Sequence, residues 1–307
     1  MTELVVEVND LSRSFGKTKA LDSVDFNAGR GKVYGLVGAN GAGKTTLIKH
    51  LLGLLRAKSG TVKIFGEDPV RNPEGVLKRI GYLSEDRDIP EWMSINELIR
   101  YTGAYHSSWD QGYAAELLNT FFLDPAKKIK TLSRGMRAQV ALISAVAHRP
   151  DLLILDEPSS GLDAVVRKDI LNAVVRTISE EGRTVIFPSH LLEEVERLSD
   201  HVTMIHQGKI TLDSSLELIN NNHHCSSIGF AELQNSLPVL DGVVAITGEG
   251  RFWNTIHQGS TAAFQDAVKK IGGKVLESRN ATLEEVFVSR VGHLDNREQS
   301  QLKVDAK

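Results

Sequence analysis

One cysteine, Cys225, is all that the 307 residues contain, so no internal disulfide and no cysteine-rich zinc cluster can be built. Such a chain suits a reducing compartment. His223 and His224 precede the cysteine, but no other group of metal ligands lies nearby, and a polar linker that happens to hold them is the simpler reading. No run of about 18 apolar residues occurs, so no membrane-crossing helix is expected. The opening residues, Met1-Thr2-Glu3-Leu4-Val5-Val6-Glu7, are acidic where a secretory signal needs a basic stretch and a long apolar core. Basic excess is missing too: 36 Lys and Arg stand against 39 Asp and Glu, a formal charge of −3. A protein that grips nucleic-acid backbone usually carries a basic excess or stripe, so no nucleic acid is expected as a partner. What remains, 41% hydrophobic and 24% charged residues, is ordinary globular composition. The length suits one large domain and one small one.

Apolar runs and helical periodicities alternate up to about residue 215. Strands are expected at 4–8, 32–37, 61–65, 152–155, 184–187 and 202–206. Helices are expected at 44–54, 94–106, 112–121, 134–147, 164–180 and 191–198. Continuously apolar runs such as Leu152-Leu153-Ile154-Leu155 fit strands buried on both faces. The pattern is that of an α/β core with a mainly parallel sheet. Composition shifts at Asn220-Asn221-Asn222-His223-His224, which reads as a linker. Beyond it, strand-like pieces at 227–230, 242–247 and 251–257 and a helix at 260–271 indicate a small α+β appendix. The expected organisation is a domain at 1–218, a small α+β domain at 219–291 and a polar tail at 292–307.

The strongest motif is Gly38-Ala39-Asn40-Gly41-Ala42-Gly43-Lys44-Thr45, an uninterrupted G-x-x-x-x-G-K-[ST] between an expected strand and the helical run that begins Thr45-Thr46. Glycines let successive backbone N–H groups turn toward a phosphate at the positive end of a helix. Lys44 adds a point charge for the β- and γ-phosphates, and the Thr45 hydroxyl is a candidate magnesium ligand. A chance match of this length arises in about one such chain per hundred at ordinary glycine usage, and the strand–loop–helix setting lowers that further. Nucleoside triphosphate binding follows.

Asp156 and Glu157 end the apolar strand at 152–155, where α/β sheets bind ligands. Asp156 is placed to hold Mg²⁺, directly or through water, and Glu157 to orient or deprotonate an attacking water. Alone, a strand ending in Asp-Glu is no more than a solvated turn; beside the phosphate loop it reads as catalytic.

Over residues 4–215 these motifs, in this order, resemble the ATP-binding cassette ATPases. Leu132-Ser133-Arg134-Gly135-Met136 looks like the family's signature, normally Leu-Ser-Gly-Gly-Gln, and Ser160-Gly161-Leu162-Asp163 like its D-loop. The resemblance implies a P-loop NTPase core with a helical signature subdomain and an antiparallel β part. It implies ATP and Mg²⁺ as ligands, with the adenine on Phe15 and the phosphates on Gly38, Asn40, Gly41, Ala42, Gly43, Lys44, Thr45 and Thr46. Ser133, Gly135 and Asp163 complete the nucleotide contacts, Thr45, Glu85 and Asp156 the metal contacts, and Glu157, His190 and Lys44 the catalytic set. Two departures stand out: Glu85 occupies the Q-loop position where Gln is usual, and Arg134 and Met136 replace Gly and Gln in the signature.

Family resemblance further implies a transport ATPase acting as a homo- or heterodimer, the signature of one subunit facing the phosphate loop of the other. The expected partner is an integral-membrane permease that holds the protein at the cytoplasmic face of the membrane, with export the favoured direction. The segment 86–93, with Trp92 and Met93 as exposed anchors, is the expected permease contact. Ala281-Thr282-Leu283-Glu284-Glu285-Val286-Phe287 resembles the C-terminal region of ABC-2-type exporter ATPases. The competing expectation is a soluble regulatory, ribosome-associated or nucleic-acid-associated cassette ATPase. Those relatives usually carry two cassettes, long coiled coils or zinc modules, and none of these is found here.

Overall fold

The computed structural model describes residues 3–290 apart from 87–88, 159, 164, 169, 173–181, 190 and 239. Two compact units meet in sequence between Leu212 and Asp213.

The first unit opens with a hairpin. β1 (Leu4–Phe15) pairs antiparallel with β2 (Thr18–Gly29), closing at Phe15 opposite Thr18, and β4 (Ser59–Ile64) lines its other edge. β2 has no counterpart among the expected strands, because Val24, Phe26 and Ala28 are buried alternately with polar Asp25 and Asn27. That is the period of a half-buried strand and not of a continuous apolar run.

The second sheet has six strands. Their order is β5 (Ile80–Leu83), β6 (Leu152–Leu155), β7 (Thr184–Ser189), β3 (Val33–Val37), β8 (His201–His206) and β9 (Lys209–Ser215). The first five are joined by parallel pairs. β3 and β6 are buried along their whole length, as strands covered on both faces must be. Helix α1 (Lys44–Leu51) turns Leu47, Ile48 and Leu51 into a core shared with Phe26 and Ile64 of the antiparallel sheet and Leu36, Ile154 and Ile186 of the parallel one. One apolar core therefore fixes the helix that begins in the phosphate loop.

Between β4 and β6 the chain is largely helical: α2 (Pro73–Leu77), α3 (Ile95–Gly103), α4 (Gln111–Thr120) and α5 (Arg134–Val146). Ser94 starts α3 with a reciprocal cap, its hydroxyl accepting from the Glu97 N–H while the Glu97 carboxylate accepts from the Ser94 N–H at 2.6 Å. Trp92, just before this cap, is 71% exposed, but Met93 is only 7% exposed and belongs to the core. Met93 is thus no surface anchor: its carbonyl accepts from the Ile129 N–H, which ties the segment down and turns the side chain inward. Of the expected helix at 164–180, residues 165–168 and 170–172 are helical and the others lie outside the described residues. α6 (Leu192–Leu198) precedes β8.

In the second unit, α7 (Leu216–Asn222) leads into β10 (His223–Gln234), followed by β11 (Val243–Gln258), α8 (Thr261–Lys270) and β12 (Gly273–Asn280). The strands pair antiparallel in the order β11-β10-β12. Ile228, Phe230, Leu240, Phe264 and Val268 form their core. The polar run at 220–224 is not a linker. Asn220 to Asn222 complete α7 and His223 opens β10, buried, with its Nδ1–H donated to the Ile219 carbonyl at 3.0 Å. A histidine bonded to its own helix end needs no solvent, so composition misleads there. No helix among the described residues is long and apolar enough to cross a membrane.

Leu47→Ala should cost the first unit about 2–5 kcal/mol, since it opens a cavity in the shared core. Leu54→Ala, at a side chain 65% exposed, should change stability by less than about 0.5 kcal/mol. Urea denaturation of both variants measures the contrast; equal losses would contradict the placement of α1.

Candidate active site at the phosphate loop

Because β3, β5 and β6 run parallel, their C-terminal ends open on one edge of the sheet, and the loops beginning at Gly38, Ser84 and Asp156 meet there. The phosphate loop leaves β3 at Gly38 and enters α1 at Gly43. Gly43 has φ 116°, and a Cβ there would strike the Ala20 carbonyl, so only glycine serves. The Ala42 N–H donates to the Ala39 carbonyl at 3.1 Å, and the Ala42 carbonyl accepts from the Gly208 N–H at 2.9 Å. No acidic residue occupies the first turn of α1, which leaves its positive end for an anion.

Lys44 is buried. Its ammonium donates to the carbonyls of Gly38 at 2.5 Å and Ala39 at 3.3 Å. Burial pulls its pKa below the ordinary lysine value, against the opposing pull of Glu157, Asp156 and Glu85. A phosphate reaching the loop would take over a cation already aimed at the loop's interior.

Asp156 and Glu157 are also buried. The Asp156 N–H donates to the Leu83 carbonyl at 2.8 Å and the Glu157 N–H to the Pro188 carbonyl at 3.3 Å, so β5 and β7 hold the pair from either side. Burial, reinforced by Glu85 and Glu157, pushes the Asp156 carboxyl up to about 6, with Lys44 and Lys49 opposing. Glu157 has φ 48°, in the left-handed region. For a side chain other than glycine this costs about 1–2 kcal/mol, and strain of this kind collects where function demands it. The phosphate loop from Ala39 to Thr46, with Glu85, Asp156, Glu157 and Ser160, lines a cavity of 310 Å³. The Thr45 hydroxyl and the Glu85 and Asp156 carboxylates give it hard oxygen donors, the kind that magnesium prefers.

Other expected site residues stand outside this cavity. Phe15, 49% exposed at the tip of β1, has one face approached by the Arg13 guanidinium, 4.9 Å from the ring centroid. Ser133 caps α5, its hydroxyl accepting from the Met136 N–H at 3.2 Å, which leaves the hydroxyl proton free to donate. Gly135 is buried beside Val166 in the first turn of α5. The Asp163 carboxylate accepts from the N–H groups of Val165 and Val166 at 3.0 Å each, as a helix cap does. His190 lies outside the described residues. Ser160 was not among the expected ligands, yet it lines the cavity, its N–H donating to the Glu157 carbonyl at 3.1 Å. Its place three residues after Glu157, in a tight turn, was the available signal.

An anion cradle and strand-end carboxylates arranged this way belong to the P-loop nucleoside triphosphatases. Residues 21–160 match the family described as ABC transporter. The Bacillus subtilis ABC transporter ATP-binding protein YtrB is 26% identical over 94% of this chain and 98% of its own length. The bacitracin transport ATP-binding protein BcrA of Bacillus licheniformis is 34% identical over 67% of this chain and 68% of its own. A solved ATP-binding subunit of an ABC transporter superposes with a TM-score of 0.65 at 28% identity, covering 71% of this chain and 92% of its own. The chain belongs to the ABC transporter ATP-binding proteins and is an ATP-hydrolysing subunit of that family.

A pH test follows from Asp156. Its folded-state value of about 6 lies above the ordinary 3.8, so its contribution to stability is whole below pH 3.8 and is lost as pH rises through 6. In nucleotide-free protein, Asp156→Asn should therefore raise stability at pH 7.5 by up to about 3 kcal/mol and have little effect at pH 4. Thermal melts at the two pH values check this, and an equal effect at both would contradict it.

Proposed function

We propose that the protein powers a separate membrane permease by binding magnesium-ATP between Lys44 and the Asp156–Glu157 pair, with a second cassette subunit closing over the nucleotide. One observation carries the dimer: Ser133 and Gly135 stand at the N-terminus of α5, a good phosphate site, yet neither lines the cavity that holds Lys44 and Glu157. If they contact the γ-phosphate, they do so on the nucleotide of another subunit. ATP then acts as the adhesive between two copies or siblings, and its hydrolysis releases them.

In this reading the loop N–H groups and Lys44 hold the β- and γ-phosphates, and Phe15 offers its exposed ring to adenine. Thr45, Asp156 and Glu85 would hold magnesium, which when bound neutralises charge between the phosphate oxygens. Glu157 orients water and takes its proton as the water oxygen attacks the γ-phosphorus. The bond from that phosphorus to the bridging oxygen breaks, and the charge left on ADP falls to Lys44 and the loop N–H groups. His190 is proposed to assist on resemblance alone.

The coupling role goes to the segment from Asp86 to Trp92, where Trp92 offers a large exposed anchor. Export is the favoured direction, on the resemblance of residues 281–287 to the C-terminal region of ABC-2-type exporter ATPases. The protein would then work at the cytoplasmic face of the membrane, with the second unit supporting dimerisation or regulation.

Glu157→Gln should keep ATP affinity but lower turnover by at least about 100-fold, and should accumulate an ATP-bound dimer. Phosphate release and light scattering measure the two effects; turnover at the parental rate would remove Glu157 as the base. A photocrosslinker in place of Trp92 should capture the permease in membranes, and repeated failure to yield any adduct would move the coupling surface elsewhere.

A further inference from the structure

Glu85 borders two hollows. It lines the 310 Å³ cavity with Lys44 and Asp156, and also a groove of 640 Å³ shared with Asp86, Ile89, Glu91, Leu132, Arg134 and Arg137. Carboxylates and guanidinium groups thus line one groove. Arg137 is committed within it: it pairs with Glu91 and donates to the Lys130 carbonyl at 3.2 Å. Arg134 is not. Among the described residues no ion pair joins it, Glu85 or Asp86 to an opposite charge.

The Arg134 guanidinium rests against Gly161, where its Nη1, Cζ and Nη2 fill the space a side chain would take. Gly161 has φ +64°, so glycine there provides both the turn and the seat. Arg134 is also the first residue of α5, where a cation opposes the helix dipole. Its charge therefore costs stability locally, and nothing in α5 returns it. Of the two uncommitted carboxylates among the described residues of the groove, only Glu85 also reaches the triphosphate cavity, where it is a third carboxylate beside Asp156 and Glu157 against Lys44, the one cation among the described lining residues.

We propose that Arg134 is a positioning residue paired in charge with Glu85 across this groove, offsetting the third carboxylate so that the nucleotide's phosphates can bind beside it. Arginine stays charged at every working pH, and charges within a Debye length of each other, about 8 Å at physiological salt, are incompletely screened. The two positions are also those where the sequence departs from the family pattern with opposite sign, Glu for Gln and Arg for Gly. The proposal rests on reading the 310 Å³ cavity as the triphosphate site, but the pairing itself does not need nucleotide.

A double-mutant cycle in the full chain tests it, using Arg134→Ala, Glu85→Gln and the two combined, with Arg134→Lys as the charge-keeping control. In one arm, a fluorescent ATP analogue with magnesium reports affinity. Arg134→Ala should weaken binding about fivefold or more, Arg134→Lys by less than about twofold, and the double variant should return to within about twofold of Glu85→Gln. The loss should shrink at high salt. In the second arm, the same cycle is run on thermal stability without nucleotide, and the Arg134→Ala effect should differ between the parental chain and the Glu85→Gln variant. Coupling in stability with no nucleotide binding by the parent would uphold the pair and sink the triphosphate reading. Additive effects in the stability arm would overturn the pair.

Discussion

A buried ammonium aimed at its own loop is what the candidate active site depends on. Lys44 is withdrawn from water, fixed by the carbonyls of Gly38 and Ala39, and set at the positive end of a helix with no acid in its first turn. Around it stand three carboxylates. Without nucleotide this is a poor balance: burial, reinforced by Glu85 and Glu157, lifts the Asp156 carboxyl, while burial lowers Lys44 against the pull of the carboxylates around it. The strain is tolerable because the helix that carries Lys44 is locked by Leu47, Ile48 and Leu51 in a core common to both sheets. A rigid scaffold thus stores an arrangement whose charges are completed by a polyanion and its counterion.

Parallel strands do the gathering. The phosphate loop, the Glu85 segment and the Asp156–Glu157 pair come from well-separated places in the chain, yet each begins where a strand of one sheet ends. Backbone bonds from Asp156 to Leu83 and from Glu157 to Pro188 extend that order beyond the sheet on either side. The helical segment α3–α5 contributes at a distance, presenting Ser133 outward and turning Arg134 toward the groove bordered by Glu85.

The contiguous parts of this site were legible in the sequence. A phosphate loop must be one unbroken segment, since its N–H groups act together, and Asp156 and Glu157 declare themselves at the end of Leu152–Leu155 because a fully buried strand rarely admits a charge before its end. The hairpin strand β2 was not legible, because a search for continuous apolar runs passes over alternation. Met93 was expected outside and lies inside, since burial there is decided by a backbone bond to Ile129 that no local pattern records. Asn220 to His224 looked like a linker because composition cannot show that Asn220 to Asn222 close a helix and that the His223 ring is bonded to that helix end. The seat of Arg134 on Gly161 joins two motifs read separately, and only the fold brings them together.

The torsion of Glu157 carries an evolutionary consequence. At φ 48°, glycine or asparagine would rest there more comfortably than glutamate. In the role proposed for Glu157, a descendant released from the duty to split ATP would therefore gain folding stability by drifting to either one. Under that proposal catalysis and robustness pull this position in opposite directions, and the glutamate records which of the two selection has favoured.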